Sequence, residues 1–160
     1  MINPLFEKLF IKHENSDRKF LSFRDESFLT YREFIRMVKK FSLSFRALGL
    51  KPGDRVALKI EKTQFFLGIY GACIHQGLIF LPINDNYTAG ETIFFLKDSQ
   101  TRLFISTRKE AESLSESADR YFRIETLENN GTGTLSTLAD SQKGSAIPEG
   151  RSLQDVAALL

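Results

Sequence analysis

A chain of 160 residues with 42% apolar and 26% charged residues can bury one core of ordinary size and has the composition of a globular protein, not a disordered one. Its 22 Lys+Arg against 20 Asp+Glu leave a formal net charge of +2, with no basic run longer than a pair such as Lys39-Lys40, which argues against nucleic acid or an anionic membrane as partner. Cys73 has no second cysteine to pair with, residues 1–10 lack the pattern of a signal peptide, and no apolar run approaches the roughly 18–20 residues of a membrane span, so the expectation is a cytoplasmic protein.

Phe20 to Phe23 reads as a short strand, Asp25-Glu26-Ser27 as its turn and Phe28-Leu29 as the return strand. Thr30 with Glu33 forms a capping box, in which the hydroxyl accepts from one orphan N–H and the carboxylate from another. Phe34, Met37, Val38, Phe41, Phe45 and Leu48 then recur at three- and four-residue steps and predict a helix with one apolar face, closed by Gly49. Lys51 to Asp54 is a turn, and Arg55 to Ile60 a strand. Thr63 to Gln76 predicts a helix buried on more than one side, ending at Gly77. Leu78 to Leu81 is a strand stopped by Pro82, and Thr88-Ala89-Gly90-Glu91 opens a further helix with a second capping box.

Arg102 to Ser106 reads as a strand, Lys109 to Ala118 as a helix with a polar face and Tyr121 to Ile124 as a strand. This alternation predicts an α/β fold, a largely parallel sheet with flanking helices on both faces. Residues 128–151 are polar and loop-rich, with one short helix around Leu135 to Ala139, and Asp155 to Leu160 (DVAALL) carries the pattern of a buried strand. The whole of 1–160 is expected to form one unit, interrupted after that last strand.

Few residues point to chemistry. The sequence contains no G-x-x-x-x-G-K-[ST] phosphate loop and no G-x-G-x-x-G turn. Asn129 to Thr134 is the densest glycine stretch and reads as a polar hairpin or loop, with an anion-binding nest of backbone N–H groups as the other reading. His13, Cys73 and His75 do not make a zinc set, which needs three or four converging donors, and Cys73 sits in an apolar run as a core thiol. Glu61, Asp85, Glu91 and Asp98 are expected to be solvated or to cap helices.

Three stretches in order resemble the start of the adenylate-forming acyl-CoA synthetases, the AMP-binding superfamily. Leu29-Thr30-Tyr31-Arg32-Glu33-Phe34 is similar to that family's first motif. Leu48 to Ala57 (LGLKPGDRVA) resembles its L-G-x-x-x-G-D-x-V-A segment. His75 to Asn84 (HQGLIFLPIN), with Tyr87-Thr88-Ala89 and Glu91 after it, resembles its second motif. Ile60 to Thr63, Tyr70 to Cys73, Leu81 to Thr88 and Ile124 to Leu135 are most similar to the malonyl-CoA synthetases among them.

The resemblance implies an N-terminal subdomain of the acyl-CoA synthetase fold and an acid–CoA ligase activity that forms AMP. In such an enzyme a small carboxylic acid such as malonate reacts with ATP to give an acyl-adenylate, and CoA then displaces AMP; ATP, Mg²⁺ and CoA are the implied cofactors of the full-length enzyme. In the family a phosphate loop follows the strand equivalent to Asp155–Leu160. The resemblance therefore carries no catalytic, cofactor-binding or metal-binding residue onto this chain, which is expected to be inactive alone, to bind none of these cofactors and to be open to self-association through its last strand. The alternatives are a non-catalytic binding or dimerisation module reusing the fold, and a stand-alone nucleotide-binding domain.

Overall fold

The computed structural model describes residues 3–118 and 121–160, so Met1 and Ile2 of the N-terminal stretch lie outside the described residues. In chain order the elements are helix α1 (Pro4–Leu9), a 3-10 turn at Ile11–His13, strands β1 (Lys19–Ser22) and β2 (Phe28–Thr30), helix α2 (Tyr31–Ala47), strand β3 (Arg55–Lys59), helix α3 (Gln64–Gln76), strand β4 (Ile79–Pro82), helix α4 (Ala89–Asp98), strand β5 (Leu103–Ser106), helix α5 (Arg108–Ala118), strand β6 (Arg123–Thr126) and helix α6 (Thr134–Ser141).

β1 and β2 pair antiparallel as a small hairpin. β3 to β6 form a four-stranded parallel sheet in the order β4-β3-β5-β6. Side-chain alternation sends Val56 and Leu58 of β3, and Leu103 and Ile105 of β5, into the larger core with α1, α2, α3 and α6. Ala57 and Phe104 point the other way, into a second cluster with Leu96 of α4 and Leu114 of α5. The sheet is thus covered on both faces, as the strand–helix alternation predicts.

Both capping boxes form: Thr30 and Thr88 each accept from the N–H of the glutamate three residues on, and Glu33 and Glu91 accept in return from the threonine N–H at 2.8 Å. Those backbone bonds, then the threonine hydroxyls, hold both carboxyls below their usual range. Gly77 closes α3 at φ 65°, a left-handed conformation that only a residue without Cβ takes at no cost. α2 and α3 cross closely at Gly71, where an added Cβ would lie 2.6 Å from Val38 Cγ2.

Four expectations change. α1 has no counterpart in the sequence reading; Asn3 caps it by accepting from Phe6 N–H, and Pro4 occupies its first turn. β6 begins two residues later than expected: Phe122 is buried before the strand, while Tyr121 is exposed under the Lys97 ammonium. Pro82 is the last residue of β4 itself, and the chain beyond it still bonds β3 through Ile83 N–H and the Leu58 carbonyl. Asp155–Leu160 is not a buried strand: only Ala158 bridges to Phe80, at the free side of β4, and Val156, Leu159 and Leu160 are exposed.

Candidate functional site

In open α/β sheets, ligands bind outside the carboxyl ends of the strands where the strand order reverses. Here β4 lies on one side of β3 and β5 on the other, so the reversal falls between β3 and β5. Lys59 ends β3 at that point, with 7% of its side chain exposed. Its ammonium donates to the Tyr87 carbonyl at 2.7 Å, the Thr92 hydroxyl at 3.1 Å and Glu110 Oε1 at 2.7 Å. Three donors meet three acceptors, so this cation ties β3 to the β4–α4 connection, α4 and α5 and offers no free proton to a ligand.

Beyond β5 and β6 a groove of about 720 Å³ opens between Arg108, Arg123, Glu128 and the start of α6. Glu125, 6% exposed, occupies its inner end, accepting from Arg123 Nε at 2.7 Å and from the Thr134 hydroxyl at 2.5 Å. Glu128 accepts from Arg108 N–H at 2.7 Å. The glycine-rich stretch is a turn: Gly131 N–H donates to the Glu128 carbonyl, Thr132 N–H to Asn130 Oδ1 and Thr134 N–H to the Thr126 hydroxyl. These three N–H groups are bonded within the protein.

At the other end of the sheet, Asn3 joins three segments. Its amide donates to the Ile74 carbonyl at 2.7 Å and the Glu149 carbonyl at 3.0 Å, and its oxygen caps α1. Beside it lies a groove of about 290 Å³ lined by Leu5, Leu78, Leu153 and Val156. His75 is fully buried nearby, edge-on to Phe6 with ring centroids 4.7 Å apart. Its Nδ1 faces Gln76 Nε2 at 2.9 Å and its Nε2 has no partner. Burial, then the positive charges of Lys39 and Arg46, push its pKa down to about 4.

The remaining residues singled out in the sequence take the structural roles expected of them. Cys73 is buried, and burial pushes its thiol pKa up. His13 packs on Tyr31 with centroids 4.5 Å apart, apart from the His75 environment. Glu61, Asp85 and Asp98 are exposed, and Glu91 caps α4. Among the described residues no three His, Cys, Asp or Glu side chains converge as a metal site. The Lys59 clamp and buried His75 escape pattern reading; the one sequence signal for the former is a lysine inside the apolar strand RVALKI.

The AMP-binding enzyme family pattern matches residues 11–160. The chain belongs to that family. Its fold superposes on apo MatB from Rhodopseudomonas palustris, and equally on ATP-bound MatB, with a TM-score of 0.92 at 27% identity, covering 100% of this chain and 32% of MatB. An oxalate–CoA ligase of Arabidopsis thaliana is 31% identical over 130 residues, which is 78% of this chain and 25% of that protein. A fatty acid–[acyl-carrier-protein] ligase, ScoC of Streptomyces coeruleorubidus, is 36% identical over 75 residues, 47% of this chain and 14% of that enzyme. The architecture is the N-terminal third of the acyl-CoA synthetase fold, and the chain spans a quarter or less of these two curated relatives' own length. Among the described residues no helix is long and apolar enough to cross a membrane.

Proposed function

We propose that this chain is the N-terminal portion of an AMP-forming acid–CoA ligase whose acid is malonate or a similarly short carboxylic acid. The observation that carries the reading is the superposition of the whole chain on MatB, a malonyl-CoA synthetase, in its apo and ATP-bound forms. In the complete reaction a carboxylate oxygen attacks the α-phosphorus of ATP and pyrophosphate leaves. The CoA sulfur then attacks the acyl carbon and AMP leaves.

Among the described residues no three His, Cys, Asp or Glu side chains converge, and the Gly131, Thr132 and Thr134 N–H groups bond within the protein, so we assign Mg²⁺ and the phosphate chain to none of them. No catalytic step is therefore assigned to them. Their part is a rigid platform: the Lys59 clamp ties the carboxyl end of β3 to Tyr87, α4 and α5, and the Glu125–Thr134 bond ties β6 to the start of α6.

Two hybrids test the reading. In one, this chain replaces the matching third of MatB; in the other it replaces the matching third of the Burkholderia xenovorans benzoate CoA ligase, a fold likeness with a TM-score of 0.79. Malonate-dependent thioester formation by the first, with no benzoate activity in the second, supports the malonyl-CoA synthetase-like reading. Equal activity of the two removes the malonate assignment, and a folded but inactive MatB hybrid removes the ligase reading.

A further inference from the structure

Three cations from separate segments meet at the amino ends of the sheet. Arg55 opens β3, and Arg102 directly precedes β5. The two are backbone neighbours: Arg102 N–H donates to the Arg55 carbonyl at 2.9 Å, one step before the Val56–Leu103 pair. Arg55 lies two residues before Ala57 and Arg102 two before Phe104, both members of the second core cluster, so the two arginines share the face covered by α4. Lys97, in the last turn of α4, holds its ammonium 4.3 Å from the centre of the Tyr121 ring. Arg55, Lys97, Gln100, Arg102 and Tyr121 line one groove of about 330 Å³, together with Asp54.

Like charges directly opposite each other on neighbouring strands destabilise a sheet. Among the described residues no carboxylate comes within ion-pair distance of Arg55, Lys97 or Arg102. Asp54 lines the groove but accepts from Lys51 N–H at 2.8 Å. The last carbonyls of α4 carry partial negative charge. Those of Phe95, Leu96 and Lys97 already accept from the N–H groups of Ser99, Thr101 and Gln100. Gln100, at φ 53°, stands where a helix commonly ends on glycine, and its side chain lines the groove. Both arginines stand on inner strands, with β4 and β6 outside them, so their pairing does not depend on where the chain ends.

The geometry points to a binding site for a phosphate monoester, with Arg55 and Arg102 as paired forks on its oxygens and Lys97 beside them. A guanidinium fork matches phosphate oxygens two at a time. Three cations less the one carboxylate of Asp54 leave two positive charges, which match a monoester doubly ionised above its second pKa of about 6. A carboxylate brings only one negative charge. The groove lies at the opposite end of β3 from Lys59 and does not depend on the ligase reading.

Titration of the chain with phenyl phosphate near neutral pH and at constant ionic strength, followed in amide NMR spectra, tests the site. The expected result is saturable shifts at the Arg55, Lys97, Gln100 and Arg102 amides, with a dissociation constant on the order of 1 mM or below. Benzoate should bind about 10-fold more weakly or worse, and Arg102→Gln should weaken phenyl phosphate by about 10-fold. In phosphate-free buffer Arg102→Gln should be at least as stable as the parent, because it removes the repulsion. Phenyl phosphate at about ten times its dissociation constant should raise the melting temperature of the parent alone, by roughly 3–5 °C. Phosphatidylcholine vesicles carrying phosphatidate form the second arm. If they displace phenyl phosphate the monoester is a lipid headgroup, and if they do not it is a soluble compound; the site stands in both cases. Absence of saturable shifts at these amides overturns the inference, as does benzoate binding equally well. So does an Arg102→Gln chain that binds phenyl phosphate as the parent does, or one less stable than the parent without phosphate.

Discussion

Replacing Lys59 by methionine keeps the length of the stem and removes the ammonium that joins Tyr87, Thr92 and Glu110. The three lost bonds measure 2.7, 3.1 and 2.7 Å. Breaking a buried ion pair from one side costs about 3–5 kcal/mol, chiefly because the other charge is left uncompensated. Glu110 retains 23% side-chain exposure. It can rehydrate in part, so the expected loss is nearer about 2–3 kcal/mol. For a chain of this size that lowers the melting temperature by roughly 5–10 °C. Adding Glu110→Gln removes the stranded charge and should return about 1–2 kcal/mol. Urea denaturation followed by far-UV circular dichroism measures both steps. A Lys59→Met chain as stable as its parent, or a double variant less stable than the single, refutes the clamp.

Three further outcomes follow from the packing and the titrating groups. Gly71→Ala gains up to about 1 kcal/mol in helix propensity but forces a Cβ to 2.6 Å from Val38 Cγ2. The net effect should be a loss of about 1–2 kcal/mol in urea denaturation, and Val38→Ala should relieve it in the double variant. His75 has its pKa depressed from 6.5 to about 4 in the folded chain. Below pH 6.5 the unfolded chain therefore binds the extra proton first. The stability from keeping His75 neutral is full above pH 6.5 and falls toward pH 4, by about 3 kcal/mol in all. His75→Phe should flatten that part of the curve of stability against pH, and an unchanged slope would contradict the assignment. Thr30→Ala and Thr88→Ala each remove a capping box and should cost about 1 kcal/mol, adding in the double variant because they cap different helices.

Local chemistry made much of this fold legible. Capping boxes at Thr30/Glu33 and Thr88/Glu91, the left-handed Gly77 and the short apolar run of β3 between turn residues act over a few residues, and each forms where its pattern stands. Elements whose identity depends on distant partners were harder to read. α1 is six residues long and is held by Asn3 reaching carbonyls 71 and 146 residues away. The DVAALL segment has the composition of an interior strand yet lies at a sheet edge, where composition gives no sign of how many neighbours a strand will have. The offset of β6 has the same origin: Phe122 is buried against Phe104 of the neighbouring strand, which draws the apolar pattern ahead of the paired backbone. Lys59 was hidden because its three acceptors come from residues 28 to 51 positions away. Family membership was legible from short motifs that prove to be caps, turns and strand ends.

We propose that this chain supplies scaffold to an adenylate-forming ligase and that its described residues take no part in the chemistry. ATP–pyrophosphate exchange by the isolated, folded chain tests it most directly, with malonate and a panel of other short carboxylic acids. The expected result is no exchange above the blank with any acid; acid-dependent exchange by the chain alone would contradict the account.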